Sequence, residues 1–149
     1  MKNILIALVL FSITACNSDK NKAYTAENEQ EILKYLADNN LTALKTNSGL
    51  YYIIDNPGTG AFPTRTSNVT VAYKGYLTNG TVFDESDAAG ISFGLQQVIP
   101  GWTEGIPYFK EGGNGVLLIP SKLAYGNEGS GSIKGGAVLI FDVKLISIN

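Results

Sequence analysis

Side chains able to do covalent or metal chemistry are scarce in this chain. Its 149 residues contain no histidine and a single cysteine, Cys16, at the extreme N-terminal end. That leaves no room for a His-based triad, a zinc site, an internal disulfide or a cysteine nucleophile in the folded part. What stands out instead is a set of rings and hydroxyls beside sharp turns. Trp102, the only tryptophan, follows a Pro-Gly step in QVIPGWTEGI; Asp84 follows Phe83 directly; Tyr125 opens the glycine-rich stretch LAYGNEGSG. Rings supply an apolar surface and the few polar atoms supply hydrogen bonds, with no dedicated proton shuttle. Taken singly, each aromatic is core by default, and Asp84 reads as an exposed turn residue because burying it without a partner is costly. Trp102 could fill a core or floor a pocket.

The elements around these residues are legible from periodicity. Thr25 to Leu44 reads as a helix with Thr25 as its cap, Glu27, Glu29 and Glu31 near its positive end, and an apolar stripe of Ile32, Leu33, Leu36 and Ala37. Asn39-Asn40 is a stop or a kink in it. The helix is expected to pack on the domain; a dimerisation helix is the alternative. From Gly49 the period changes to two. GLYYIID is a strand and NPGTG a turn. VTVAYKGYL sends Val69, Val71, Tyr73 and Leu77 to one face and meets Asn79-Gly80, read as a hairpin turn with positive φ at both residues. GVLLIP is another strand. In AVLIFDVKLI, Ala137, Leu139, Phe141, Val143 and Leu145 share an apolar face opposite Asp142 and Lys144. The fold class is α+β: a twisted antiparallel sheet with one short helix beginning near Trp102 and a helical N-terminal extension.

The first residues read as an address. Lys2, the apolar run Ile4–Ile13 and the small residues after it have the layout of a secretory signal, too short to span a membrane. ITAC, ending at Cys16, resembles a bacterial lipobox. By that resemblance the chain is cut before Cys16 and lipid is attached there, and several acyl chains would anchor it stably. A plain signal peptide is the alternative. The expected division is 1–15 signal, 16–24 flexible tether, 25–45 helical extension and 46–149 globular domain. Net charge is −2 without a basic cluster, which argues against a nucleic-acid surface.

Four motifs in order, VAYKGYLTNGTVFDES, ISFGLQQVIPGWTEGI, LLIPSKLAYGNEGSG and VLIFDVKL, resemble the FKBP family of peptidyl-prolyl cis/trans isomerases from about Gly49 to Asn149. The whole chain looks like its lipid-anchored bacterial members, some of them associated with gliding motility. The resemblance implies a sheet wrapped around the Trp-bearing helix, with a pocket between them. Substrate-binding residues would be Tyr73, Phe83, Asp84, Ile91, Phe93, Val98, Ile99, Trp102, Tyr125, Ile133 and Phe141, with Trp102 as floor. Of these, Asp84, Tyr125, Tyr73 and Phe141 would carry catalysis. The Ile99 N–H and Tyr125 hydroxyl would bind carbonyls, and Asp84 would orient Tyr73 without acting as a base. Departures from the family pattern are Ile91 in place of a bulky aromatic, SIKGG (Ser132 to Gly136) in place of a proline-containing loop, which predicts a more mobile segment, and Pro107, which predicts a very short helix with a distorted end.

The implied reaction breaks no covalent bond. An Xaa-Pro bond rotates over a barrier of about 18–20 kcal/mol, lost amide resonance being the cause. An apolar pocket disfavours the polar planar amide, and each tenfold acceleration needs about 1.4 kcal/mol. No cofactor or metal is called for. Expected partners are proline-containing polypeptides, a membrane reached through lipid on Cys16, and macrolide inhibitors; a monomer in the cell envelope is expected, on the outer membrane before the inner, facing the periplasm or the outside. A proline-binding module of an envelope or motility complex is the alternative function.

Overall fold

The computed structural model describes the backbone of residues 15–149 and side chains from Tyr24 onward. The signal-peptide and lipobox readings fall on residues 1–14 and on the Cys16 side chain, outside the described residues. Helix α1 (Ala15–Asp38) precedes strands β1 (Leu44–Lys45), β2 (Tyr51–Asn56), β3 (Asn68–Tyr76), β4 (Val82–Glu85) and β5 (Ile91–Gly94). Helix α2 (Pro100–Gly105) follows, then β6 (Asn114–Ile119) and β7 (Leu139–Ile148). All pairings are antiparallel, in the order β1-β2-β6-β7-β3-β4, with β5 also on β3. Strand β3 therefore shares one edge between two short partners: Lys74–Tyr76 pair with β4 and Asn68–Val71 with β5.

The alternation of β6 and β7 assigns their side chains to two cores. Leu139, Phe141, Val143 and Leu145 of β7, with Leu117 and Ile119 of β6, pack against Trp102, Ile106 and Phe109 on the α2 face. Ile140 and Leu118 point the other way and meet Ile32 and Leu36 of α1, together with Tyr51 and Val138. Asp142 and Lys144, beyond the helix, are exposed. Helix α1 thus covers part of the sheet's second face, as the packed-helix reading expected.

Its details differ from that reading. The helix runs through the segment read as a tether, because no Gly or Pro interrupts Ala15–Asp38 once a turn has formed. Thr25 is consequently inside the helix, not its cap. Glu29 ion-pairs with Lys45, and Glu31 accepts a hydrogen bond from Thr78. The buried stripe is Asn28, Ile32 and Leu36, spaced by four, while Leu33 and Ala37 are exposed. The helix ends at Asp38, short of the expected Leu44, which lies in β1; of the stop or kink read at Asn39-Asn40, the structure has the stop. Asn40 takes φ 54, Leu41 N–H donates to Leu36 C=O at 2.8 Å and Asn40 N–H to Ala37 C=O at 3.2 Å, a Schellman ending.

The β3–β4 hairpin also differs. Gly80 has φ 87, but Asn79 does not have positive φ. Gly80 N–H donates to Leu77 C=O at 2.8 Å and Leu77 N–H to Thr81 C=O at 2.9 Å. This is a three-residue loop whose glycine makes the bulge, in place of a two-residue turn. Asn79 instead caps it, its Oδ1 accepting from Thr81 N–H.

Candidate functional site

Helix α2 can seat Trp102 against the sheet because two of its residues lack side chains. A Cβ on Gly101 would lie 2.4 Å from Ile119 Cγ2, and one on Gly105 would lie 2.7 Å from a Leu117 methyl. The two glycines, four apart, let the helix lie on β6 at contact distance. Pro100 starts the helix at its first position, where the missing N–H costs nothing. After Gly105 it tightens into a 3₁₀ turn, Ile106–Tyr108, containing Pro107. The short helix with a distorted end is what Pro107 predicted.

Three rings surround the indole. Tyr73 and Phe141 stand perpendicular to it with centroids 5.1 and 5.2 Å away; Phe93 is tilted at 5.4 Å. Phe83 extends the group, edge-on to Phe141 at 5.5 Å. Edge-to-face contacts at these distances fix each ring's orientation as well as burying it. Gly75 makes the space: a Cβ there would come within 2.7 Å of both Phe83 and Phe141. Trp102 is 4% exposed, and its Nε1–H meets no oxygen or nitrogen acceptor among the described residues.

Above the indole opens a cavity of about 660 Å³, lined by Phe83, Asp84, Gln97, Val98, Ile99, Trp102, Tyr125, the turn Ser130–Ser132, Ile133 and Phe141. Two donors at its mouth are unused by the protein. Neither the Ile99 amide nor the Tyr125 hydroxyl donates to another group among the described residues. Tyr125 is 40% exposed, so its hydroxyl is open to solvent. Asp84 accepts a 2.7 Å hydrogen bond from the Tyr73 hydroxyl. Burial first, then that bond to the carboxylate, pushes the Tyr73 phenol up to about 12, so it stays protonated and donating at any physiological pH.

Eight of the residues expected in the pocket line it: Phe83, Asp84, Val98, Ile99, Trp102, Tyr125, Ile133 and Phe141. Tyr73 and Phe93 do not. They pack against Trp102 from behind and beside it, because alternation on β3 and β5 turns them into the core. Ile91 is 47% exposed at the first position of an edge strand, where an aliphatic chain does not reach the cavity. Sequence reasoning missed Gln97 and the serines 130 and 132. No hydrophobic pattern marks them; their position beside Val98 and Ile133 was the available signal.

The loop around Ser132–Gly136 carries backbone hydrogen bonds of its own. Ser130 and Ile133 exchange two hydrogen bonds of 2.9 Å across Gly131-Ser132, and Gly131 takes φ 54 at the first position of that turn. Gly136 N–H donates to Gly126 C=O at 2.9 Å. Glycines at 129, 131 and 136 permit the positive φ values that this compact path needs.

A sheet wrapped on a short Trp-bearing helix, with a ring-lined cavity between them, defines the class. The profile of the family described as FKBP-type peptidyl-prolyl cis-trans isomerase matches residues 60–146, and the chain belongs to that family. Among curated relatives, the FKBP-type peptidyl-prolyl cis-trans isomerase FkpA of Aeromonas hydrophila is 45% identical over 140 residues, covering 91% of this chain and 51% of the relative. A probable FkpA of Neisseria meningitidis is 47% identical over 135 residues, with 87% and 50% covered. The chain thus spans about half the length of these curated relatives. Among solved structures, FkpA of Escherichia coli superposes with TM-score 0.75 at 36% identity, covering 89% of this chain and 64% of that one. A peptidyl-prolyl cis-trans isomerase of Pseudomonas syringae gives TM-score 0.72 at 30% identity, covering 93% and 99%.

Proposed function

We propose that this chain is a peptidyl-prolyl cis-trans isomerase that acts on Xaa-Pro bonds of exported or envelope proteins. The observation that carries this reading is the cavity above Trp102, with rings on its floor and walls and two unused donors at its mouth. The proline ring sits on the indole. The preceding carbonyl meets the Ile99 N–H or the Tyr125 hydroxyl as the C–N bond twists. The twisted amide has lost resonance and polarity, so the apolar walls favour it over the planar forms. Asp84 holds the Tyr73 hydroxyl and thereby the ring that stands perpendicular to Trp102; it takes no proton. Phe141 and Phe83, edge-on to each other, form a neighbouring part of the wall.

The test is isomerisation of an Xaa-Pro tetrapeptide by wild type, Asp84→Val and Phe141→Tyr. Wild type should exceed the blank by orders of magnitude and both variants should fall well below wild type. Wild-type activity equal to the blank with retained peptide binding would leave the proline-binding module as the function.

The ITAC sequence ending at Cys16 supports a lipid anchor in the cell envelope, on the outer membrane before the inner. Among the described residues no helix is long and apolar enough to cross a membrane. Cys16→Ala should move the protein from the membrane to the soluble fraction and abolish palmitate labelling. The cavity's size and ring lining also suit a macrolide inhibitor. The reading is of a monomer, checked by light scattering.

A further inference from the structure

Outside the cavity, one buried polar side chain is not explained by the family's pocket. Asn28 lies on α1, is 2% exposed, and makes both of its hydrogen bonds to distant backbone. Its Oδ1 accepts from Ser121 N–H at 2.8 Å, and its Nδ2 donates to Gly136 C=O at 2.8 Å. These two residues bracket one segment. Ser121 begins the 3₁₀ turn that leads into Tyr125, and Gly136 ends the loop just before Ala137 and β7. Everything between them that lines the cavity, namely Tyr125, Ser130–Ser132 and Ile133, hangs from a base that one amide closes.

A second contact reinforces it one turn earlier. The Tyr24 ring lies so close to Gly136 that a Cβ there would be 2.3 Å from Tyr24 Cε1. Within the segment, Gly126 N–H donates to Ser121 C=O at 2.8 Å and Gly136 N–H to Gly126 C=O at 2.9 Å, so the clamp is coupled directly to the residue after Tyr125. The Asn28 amide supplies an acceptor and a donor from one planar group, which holds the Ser121 N–H and the Gly136 C=O in fixed relation.

We infer that Asn28 is a positioning residue of the isomerase site: through Ser121 and Gly136 it sets the wall carrying Tyr125 and Ile133, which makes α1 part of the apparatus. This rests on the proposed activity, and one arm of the test is independent of it. Removing the amide leaves a buried N–H and C=O unpaired, and the segment opens to find water. The floor, built on α2, β3 and β7, stays in place.

The experiment compares the full chain with Asn28→Leu, which conserves volume and removes both bonds, and with Leu36→Ala. Leu36 lies two turns further along the same helix, in the α1 cluster, and touches no lining residue. For Asn28→Leu we expect KM for an Xaa-Pro tetrapeptide to rise about three- to tenfold with kcat within about twofold. Amides of Gly126, Gly129 and Ile133 should exchange faster while that of Leu145, in β7, is unchanged. Leu36→Ala should lower the melting temperature without altering KM or the loop amides. The inference is overturned if Asn28→Leu leaves the loop amides and KM at wild-type values, or if Leu36→Ala shifts them equally at matched stability. A wild type with no isomerase activity would reject the proposed function, and the exchange comparison would still decide the role of Asn28. Should Asn28→Leu not fold, Asn28→Asp keeps the acceptor for Ser121 and loses the donor to Gly136, and the same comparison applies.

Discussion

The two faces of this sheet are buried by different means. The α2 face is closed by rings held edge-to-face around Trp102 and leaves a cavity above them. The α1 face is closed by Ile32 and Leu36 on Ile140 and Leu118, with one amide, Asn28, bonded to both ends of the segment that joins the central strands β6 and β7. On the first face several of the rings and aliphatic chains that close the core, Trp102, Ile133 and Phe141 among them, also line the cavity. On the second, the apolar contacts supply stability and a polar contact supplies geometry. Side chains equally buried can therefore answer to different demands, and mutation should separate them.

Trp102→Ala should have the largest effect, since it removes both a core ring and the cavity floor. A loss of about 3–5 kcal/mol in denaturant unfolding is expected, with isomerisation at the level of the blank. Retained activity in the folded fraction would mean that the indole is core alone. Ile32→Ala, on the opposite face, should cost about 2–5 kcal/mol yet leave kcat/KM of the folded protein within about twofold of wild type. A parallel loss of activity would erase the distinction between the faces. Tyr73→Phe keeps the ring on Trp102 and removes only the 2.7 Å bond to Asp84. Stability should fall by about 0.5–1.5 kcal/mol, and activity should fall less than in Asp84→Val, as measured by the same peptide assay.

The pH response is a further, smaller test. With no histidine in the chain, kcat/KM should be flat from about pH 6 to about pH 9. The folded Tyr73 phenol, at about 12, lies above its unfolded value, so the protonated form is favoured by folding. Its contribution to stability is complete below the unfolded value near 10 and is lost as pH rises from there through about 12. The stability deficit of Tyr73→Phe against wild type should therefore narrow as pH rises from about 10 through about 12, read by denaturant unfolding at each pH; a constant deficit would mean that this ionisation is not linked to folding. Least of all should Lys34→Ala matter. Its 2.6 Å pair with Asp38 is exposed on both sides, and melting should be unchanged within error.

Much of this was legible in the amino acids. The period-two runs placed β3 and β7 and the short apolar run GVLLIP placed β6, and the apolar face of β7 was read residue by residue, because a strand with one core face must alternate. Pro107 foretold the short helix, and Asn39-Asn40, read as a stop or a kink, is where α1 ends. Local chemistry decides such features. Asn28 was not legible: a lone asparagine among glutamates looks like solvent-facing helix, and its partners are 93 and 108 residues away. Leu33 looked buried and is not, because a stripe of four-residue spacing rotates it away from the sheet. Tyr73, Phe93 and Ile91 were expected to line the cavity, and alternation and edge position put them elsewhere. The hairpin at Asn79-Gly80 was found, but its type was set by the closing pair Leu77 and Thr81, which leaves three residues in the loop with positive φ at Gly80 alone.

From residue order alone come the strands, the short helix, the missing proton shuttle and, through four motifs, the family. Tertiary structure decided which rings are floor and which are buttress, and that an amide on the first helix holds a wall of the cavity. The physical reason is range. Periodicity and turn chemistry act between neighbours in the chain, whereas a cavity and its clamp exist only once segments about a hundred residues apart are brought within hydrogen-bonding distance.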